Sequence, residues 1–157
     1  MRSSKSAVAS GLLLTWVMLA CGAPTVEVPR ADGVKPLLVA STPAAMPRDP
    51  ATIDSASVAG DVLTLHLTHG GGCRTHTFAL HTSGVFLESY PVQVPAQLSH
   101  DGAGDPCRAL VHHVEHFDLK PLRELYRKSY GAGGELALQV RAPGEGGTTT
   151  TVRYVMP

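Results

Sequence analysis

The sequence predicts a mainly β protein: an antiparallel, immunoglobulin-like β-sandwich with one short helix. In residues 51–157, leucines and valines alternate with threonines, histidines and glutamines, which is the period-two pattern of strands with one buried face. Turn-forming residues separate these short runs, as they do in sandwiches and barrels. Strands and helices do not alternate along the chain, so the sequence does not favour a parallel sheet.

The run at 63–68 shows the alternation most clearly. The same argument predicts further strands at 75–81, 85–87, 92–100, 108–117, 136–140 and 148–156. Pro95 lacks a backbone donor, so it is expected in an edge strand or at a bulge. A helix of about ten residues is predicted after Asp118, the expected N-cap, and Gly131 is its expected C-terminal glycine.

The chain opens with two basic residues and an apolar run at 7–20. This pattern is typical of a secretory signal, and the run is short for a membrane-spanning helix. The run ends in Met18, Leu19, Ala20 and Cys21, which resembles the lipobox of bacterial lipoproteins. The resemblance implies that residues 1–20 are removed and that lipid on Cys21 anchors the protein in the bacterial cell envelope, on the periplasmic face or the cell surface.

Residues 21–50 are predicted to be a disordered tether because prolines recur throughout them. Proline lacks an amide donor and restricts the residue before it, which prevents helix formation. A short apolar patch formed by Val34 and residues 37–40 could add an edge strand. The predicted β-sandwich domain is therefore 51–157.

The composition limits the possible partners. The formal net charge is zero, and removal of the signal takes away only basic residues, so the mature chain is slightly acidic. No basic stripe is visible, which argues against a nucleic-acid partner. The expected partners are the membrane, through the lipid, and an envelope protein.

The segment 69–78 joins two predicted strands and contains three successive glycines, Cys73 and two histidines. The glycines are not followed by the Lys and Ser/Thr of a phosphate loop, so we interpret them as a turn or bulge that allows positive φ and close backbone approach. Cys73 and Cys107 are the only cysteines of the predicted domain, and an oxidising envelope favours a disulfide between them. Such a bond would stabilise the fold by roughly 3–4 kcal/mol.

A bound metal is the alternative. Cys73 and His76 have a spacing that metal sites use, and Cys107 with His69 or His100 could complete a set of ligands for zinc or copper. The simpler expectation is no cofactor, with His69 and His76 facing the core and meeting beneath the glycines as hydrogen-bonded structural residues. The acids at 101 and 105 do not match a calcium loop. Single acids such as Glu115 show no informative spacing.

The pattern Gly-Gly-Gly-Cys-x-x-His-x-Phe, with a second cysteine and Phe-Asp-Leu-x-Pro-Leu downstream, resembles a motif of uncharacterised bacterial envelope lipoproteins. That resemblance implies no activity and no catalytic residue. The sequence therefore predicts a non-enzymatic, lipid-anchored binding or structural module. The alternatives are an envelope metal-binding protein that uses Cys73, His76 and Cys107, or, less favoured, a small hydrolase.

Overall fold

The structure is a computed structural model that describes residues 33–39 and 45–157. The predicted signal at 1–20 and Cys21 lie outside these residues. The elements are β1 (Val34–Pro36), β2 (Leu38–Val39), β3 (Ala51–Ala59), β4 (Val62–Gly71), β5 (Thr77–Thr82), β6 (Val92–Asp101), β7 (Ala109–Asp118), α1 (Lys120–Tyr130), β8 (Glu135–Arg141) and β9 (Thr149–Val155).

The strands form two sheets, with the orders β1-β7-β4-β3 and β2-β5-β6-β8-β9. The predicted mainly β sandwich with a single short helix is confirmed for the described residues. The pairing is mixed, because β1–β7, β2–β5 and β6–β8 are parallel. The β6–β8 pair is parallel because the chain leaves β7 in the first sheet, passes through α1 and enters the second sheet beside β6.

The core lies between the two sheets and follows the alternation in the sequence. Strand β4 places its odd-numbered residues inside, and β5, β6 and β8 place their even-numbered residues inside. Each fully buried leucine contributes about 1.5–3 kcal/mol relative to an exposed one. The largest buried side chains include Leu63, Leu65, Leu67, Leu80, Leu98, Phe117, Leu136, Leu138 and Tyr154.

The N-terminal boundary of the sandwich lies earlier than the sequence predicts. Strand β1 pairs with β7 in one sheet, and β2 pairs with β5 in the other. Leu37, between them, is only 2% exposed, and its N–H donates to the carbonyl of Asp118. The predicted tether 21–50 is thus corrected at 34–39. Burial of Leu37 and pairing with two sheet edges stabilise a folded segment there, although the surrounding sequence is rich in proline.

Pro95 lies in β6, a central strand with regular register, and not in an edge strand or at a bulge as the sequence predicts. Strand β5 ends at Thr82, which pairs with Ala96, so no strand within residues 33–39 and 45–157 lies beside Pro95 on that side. The Thr82 hydroxyl donates to the Pro95 carbonyl over 2.8 Å. A central strand therefore tolerates this proline where its neighbour has already ended.

Helix α1 packs Leu122 and Tyr126 against the core. Its N-cap is Leu119, one residue later than predicted, while Asp118 accepts a hydrogen bond from the Lys120 N–H. Gly131, at φ 88°, ends the helix as the sequence predicts. Within residues 33–39 and 45–157, no helix is both long and apolar enough to cross a membrane.

Candidate functional site

The core becomes polar at one end of the sandwich. His69 continues the inward-facing leucine series of β4, and His100 continues the series of β6. His76 precedes β5 on the face that Phe78 occupies. The strand period that builds the apolar core therefore also brings these three histidines into the interior.

The three imidazole rings form a compact cluster. Their centroids are 4.3 Å apart for His69 and His76, 5.0 Å for His76 and His100, and 5.1 Å for His69 and His100. His69 and His100 are 5% and 2% exposed, and the His76 side chain is 6% exposed. One ring nitrogen from each histidine lies within 4.8 Å of the other two.

Each ring directs one nitrogen outward to an oxygen. His69 Nδ1 is 3.0 Å from the carbonyl of Gly70, and His100 Nδ1 is 3.1 Å from the carbonyl of Asp49. His76 Nε2 is 3.1 Å from Oδ2 of Asp105. A carbonyl and a carboxylate only accept, so each of these nitrogens carries the hydrogen.

The outward bonds leave three nitrogens without a hydrogen in the neutral rings: His69 Nε2, His76 Nδ1 and His100 Nε2. Two of them, His76 Nδ1 and His100 Nε2, lie 2.8 Å apart. Two lone pairs at this distance repel each other unless a cation stands between them. The cluster therefore needs either one additional proton or a metal ion.

Burial is the largest influence on His100 and lowers its pKa from the ordinary value. The hydrogen bond to the Asp49 carbonyl acts in the opposite direction. The neighbouring His69 and His76 rings lower the pKa of His100 further. The interior thus opposes a positive charge on His100 itself.

Asp105 is held by the glycine corner. Its Oδ2 accepts hydrogen bonds of 2.9 Å from the backbone N–H groups of Gly72, Cys73 and Arg74, and its Oδ1 accepts one from Cys107. Desolvation alone would raise the pKa of Asp105, but these bonds and the bond to His76 outweigh it and hold the pKa well below its usual range. Asp105 thus stays a carboxylate that orients His76.

Glycine is required where the backbone meets the His76 ring. A Cβ at Gly71, which has φ 135°, would lie 2.6 Å from two atoms of that ring and 2.9 Å from Oδ2 of Asp105. The run at 70–72 therefore provides the close approach expected from the sequence, and its neighbour is the His76 imidazole.

Cys73 and Cys107 are joined by a disulfide, with their Cα atoms 5.8 Å apart. Both sulfurs are used in this bond, so neither is a thiolate ligand in the structure. Of the five residues considered for a metal in the sequence, His69, His76 and His100 come together as a cluster of nitrogen donors, and the two cysteines instead fasten the loop beside it.

A second polar group lies on the inner face of β7. Glu115 is 5% exposed, and its Oε1 lies 2.6 Å from Lys35 Nζ and 2.9 Å from His113 Nε2. The sequence did not single out Glu115, because the alternation in β7 is imperfect. An assumption that Phe117 faces the core would have predicted that Glu115, two residues earlier on the strand, does so too. Lys35 could not be assigned, since it lies in the segment expected to be a tether.

A cavity of about 310 Å³ opens next to the cluster. His76 and His100 line it, together with Asp49, Gly102 and Asp105. Phe78 packs against the other side of His100, with the two rings parallel and 4.4 Å apart. Phe78 thus forms an apolar wall of the cluster, and the cavity gives His76 and His100 an approach from solvent.

No protein-family model and no curated protein matches this chain. Several solved structures resemble it in fold. A candidate toxin-related protein from Parabacteroides distasonis is 18% identical with a TM-score of 0.54, covering 77% of this chain and 61% of its own. A NigD-like immunity protein from Bacteroides caccae is 17% identical with a TM-score of 0.53, covering 78% and 64%.

A protein of unknown function from Bacteroides vulgatus is 15% identical with a TM-score of 0.53, covering 80% of this chain and 57% of its own. The chain thus spans less than two thirds of the length of each of these three proteins. At such identities the likeness defines the class of protein by its fold alone: a small two-sheet β-sandwich.

Proposed function

We propose that this chain is a lipid-anchored, non-enzymatic binding module of the bacterial cell envelope. The observation that carries the proposal is the distribution of its three cysteines. Two of them form the Cys73–Cys107 disulfide, which joins the β4–β5 loop to the β6–β7 loop. The third, Cys21, stands at the end of the lipobox-like segment, where lipidation uses a free thiol.

The fold is consistent with this proposal. The disulfide fits a compartment outside the cytoplasm, where thiols oxidise. One of the structural neighbours is called a NigD-like immunity protein, and none of the three is named as an enzyme. A binding role for the present chain agrees with those descriptions.

The start of the sandwich also sets its distance from the membrane. Residues 22–33 lie between Cys21 and the first strand. A fully extended chain of that length spans at most about 45 Å. A lipid on Cys21 would therefore hold the sandwich near the bilayer surface, at less than half the reach of a tether that continued to residue 50.

The test is fractionation of the full-length protein and its Cys21→Ser variant, expressed in a bacterial host with labelled palmitate. We expect labelled wild-type protein in the membrane fraction and an unlabelled variant that is either released or left as an uncleaved precursor. The matched control is Cys73→Ser with Cys107→Ser, which should remain labelled and membrane-bound. Normal processing and membrane retention of Cys21→Ser would refute the anchor.

A further inference from the structure

We infer that His69, His76 and His100 bind one divalent transition metal ion, zinc or copper(II), through His69 Nε2, His76 Nδ1 and His100 Nε2. The inference names a ligand class for the proposed binding module. It does not depend on the lipid anchor, because all three ligands lie in the sandwich.

The first support is the direction of the rings. Histidines that bind a metal donate their other ring N–H to a carbonyl or carboxylate, which fixes the tautomer and the ring orientation. All three histidines do so here, to the Gly70 carbonyl, the Asp49 carbonyl and the Asp105 carboxylate. The three nitrogens left over are the atoms with a lone pair to offer.

The second support is the contact between two of those nitrogens. His76 Nδ1 and His100 Nε2 approach to 2.8 Å, although both outward bonds have already used the hydrogens of the neutral rings. A metal ion accepts both lone pairs. Zinc–nitrogen bonds of about 2.0–2.1 Å in a tetrahedral site place two nitrogens about 3.3 Å apart, so the rings need to separate by only about 0.5 Å.

The third support is the surroundings. Imidazole nitrogens suit zinc and copper, and three of them leave a coordination position open for water or another ligand. Asp105 places a carboxylate behind His76, and its four backbone hydrogen bonds hold it in place. The cavity beside His76 and His100 provides a path for the ion.

The test is a titration of the purified full-length protein, with its disulfide intact, by zinc, copper(II) and cobalt(II) chloride. We expect one zinc ion per chain by calorimetry, and a cobalt(II) absorption spectrum of the tetrahedral type. His69→Gln removes one ligand and should weaken zinc binding by more than about 100-fold, since loss of a mere supporting residue already costs 10–100-fold.

The matched control is His66→Gln. His66 lies on the same strand and faces solvent, so this variant should bind zinc like the wild type. No saturable zinc or copper binding by the wild-type protein would overturn the inference. Equal affinity in His69→Gln would also overturn it, because the ion would then occupy another site.

A measurement on the wild-type protein covers the case in which His69→Gln does not fold. Long-range nitrogen NMR spectra resolve the ring nitrogens of individual histidines. Zinc should perturb His69, His76 and His100 and leave the outward-facing His66, His112 and His116 unchanged. Perturbation confined to the outward-facing rings would refute the site. Failure of this experiment leaves the lipid anchor untouched, because the Cys21→Ser fractionation decides the anchor separately.

Discussion

The hydroxyl of Tyr154 donates a hydrogen bond of 2.6 Å to Oδ1 of Asp61, and this contact joins the two sheets. Tyr154 is in β9, and its side chain is fully buried. Asp61 lies in the turn between β3 and β4, where its other carboxylate oxygen accepts from Arg123 of α1 and its carbonyl accepts from the Leu119 N–H. One carboxylate thus links both sheets and the helix.

Removal of this hydroxyl should weaken the fold. Tyr154→Phe keeps the ring in the core and deletes a hydrogen bond to a charged group, which is worth about 1.5–3 kcal/mol. We expect the free energy of unfolding in urea to fall by that amount. Tyr90→Phe is the matched control, because Tyr90 is fully exposed, and it should change stability by less than about 0.5 kcal/mol.

The same contact predicts the response to alkaline pH. Burial, and then the hydrogen bond to Asp61, raise the pKa of Tyr154 well above its ordinary value. In the unfolded chain this tyrosine ionises near pH 10, so above about pH 10 the unfolded state loses a proton that the folded state keeps. Its contribution to stability is therefore complete below that pH and is lost as the pH rises.

We expect the urea midpoint of the wild-type protein to fall more steeply between about pH 9 and 11 than that of Tyr154→Phe. Tyr90→Phe should keep the wild-type slope. Identical slopes for all three proteins would show that Tyr154 does not retain its proton in the folded state.

The sequence predicts the strands from β4 to β9 because their period is local, but β3 (Ala51–Ala59) is not among the predicted strands, and the run predicted at 85–87 is not a strand in the structure. The alternation of Leu63, Leu65 and Leu67 identifies the buried face of β4 without reference to any neighbouring strand. The turn residues mark where strands end. The partners themselves are not local. Strands β1 and β2 are too short to show a period. Their positions are set by pairing with β7 and β5, which the sequence pattern does not reveal.

The candidate site was predictable in part for the same reason. His69 and His76 have core-facing parity, and the sequence alone indicates that they meet near the glycines. The sequence includes His100 among the possible ligands. It does not predict the hydrogen bond from His100 to the Asp49 carbonyl, because Asp49 lies in a segment expected to be disordered. The role of Asp105 was not visible, since its four backbone donors are fixed only by the folded loop.

Docking of the N-terminal segment gives a further prediction. Leu37 is 2% exposed between the two sheets, whereas the adjacent Leu38 is 41% exposed. Leu37→Ala leaves a cavity and should lower the free energy of unfolding by about 2–5 kcal/mol. Leu38→Ala, the matched control, should cost less than about 0.5 kcal/mol. If urea unfolding shows equally small effects for both changes, the segment around Leu37 does not stabilise the sandwich, and the domain begins at residue 51 as the sequence predicts.

The disulfide gives another prediction, because it fastens the loop that holds Asp105. Replacing both partners, Cys73→Ser with Cys107→Ser, removes a constraint on the unfolded chain. The free energy of unfolding should fall by about 2–5 kcal/mol. Cys21→Ser is the control for loss of a cysteine as such, and it should not change unfolding, because Cys21 precedes the first strand of the sandwich.

Hydrogen exchange tests whether the bond also orders the loop. The backbone N–H groups of Gly72, Cys73 and Arg74 all donate to Oδ2 of Asp105, on the chain segment that the disulfide ties down. In the double serine variant these three amides should exchange faster than in the wild-type protein, and by more than the global loss of stability requires. Amides of β8 and β9, far along the chain from the bond, should change only by the global amount. If all of these amides change equally, the disulfide acts on the unfolded chain alone, and the hydrogen bonds to Asp105 hold the loop without it.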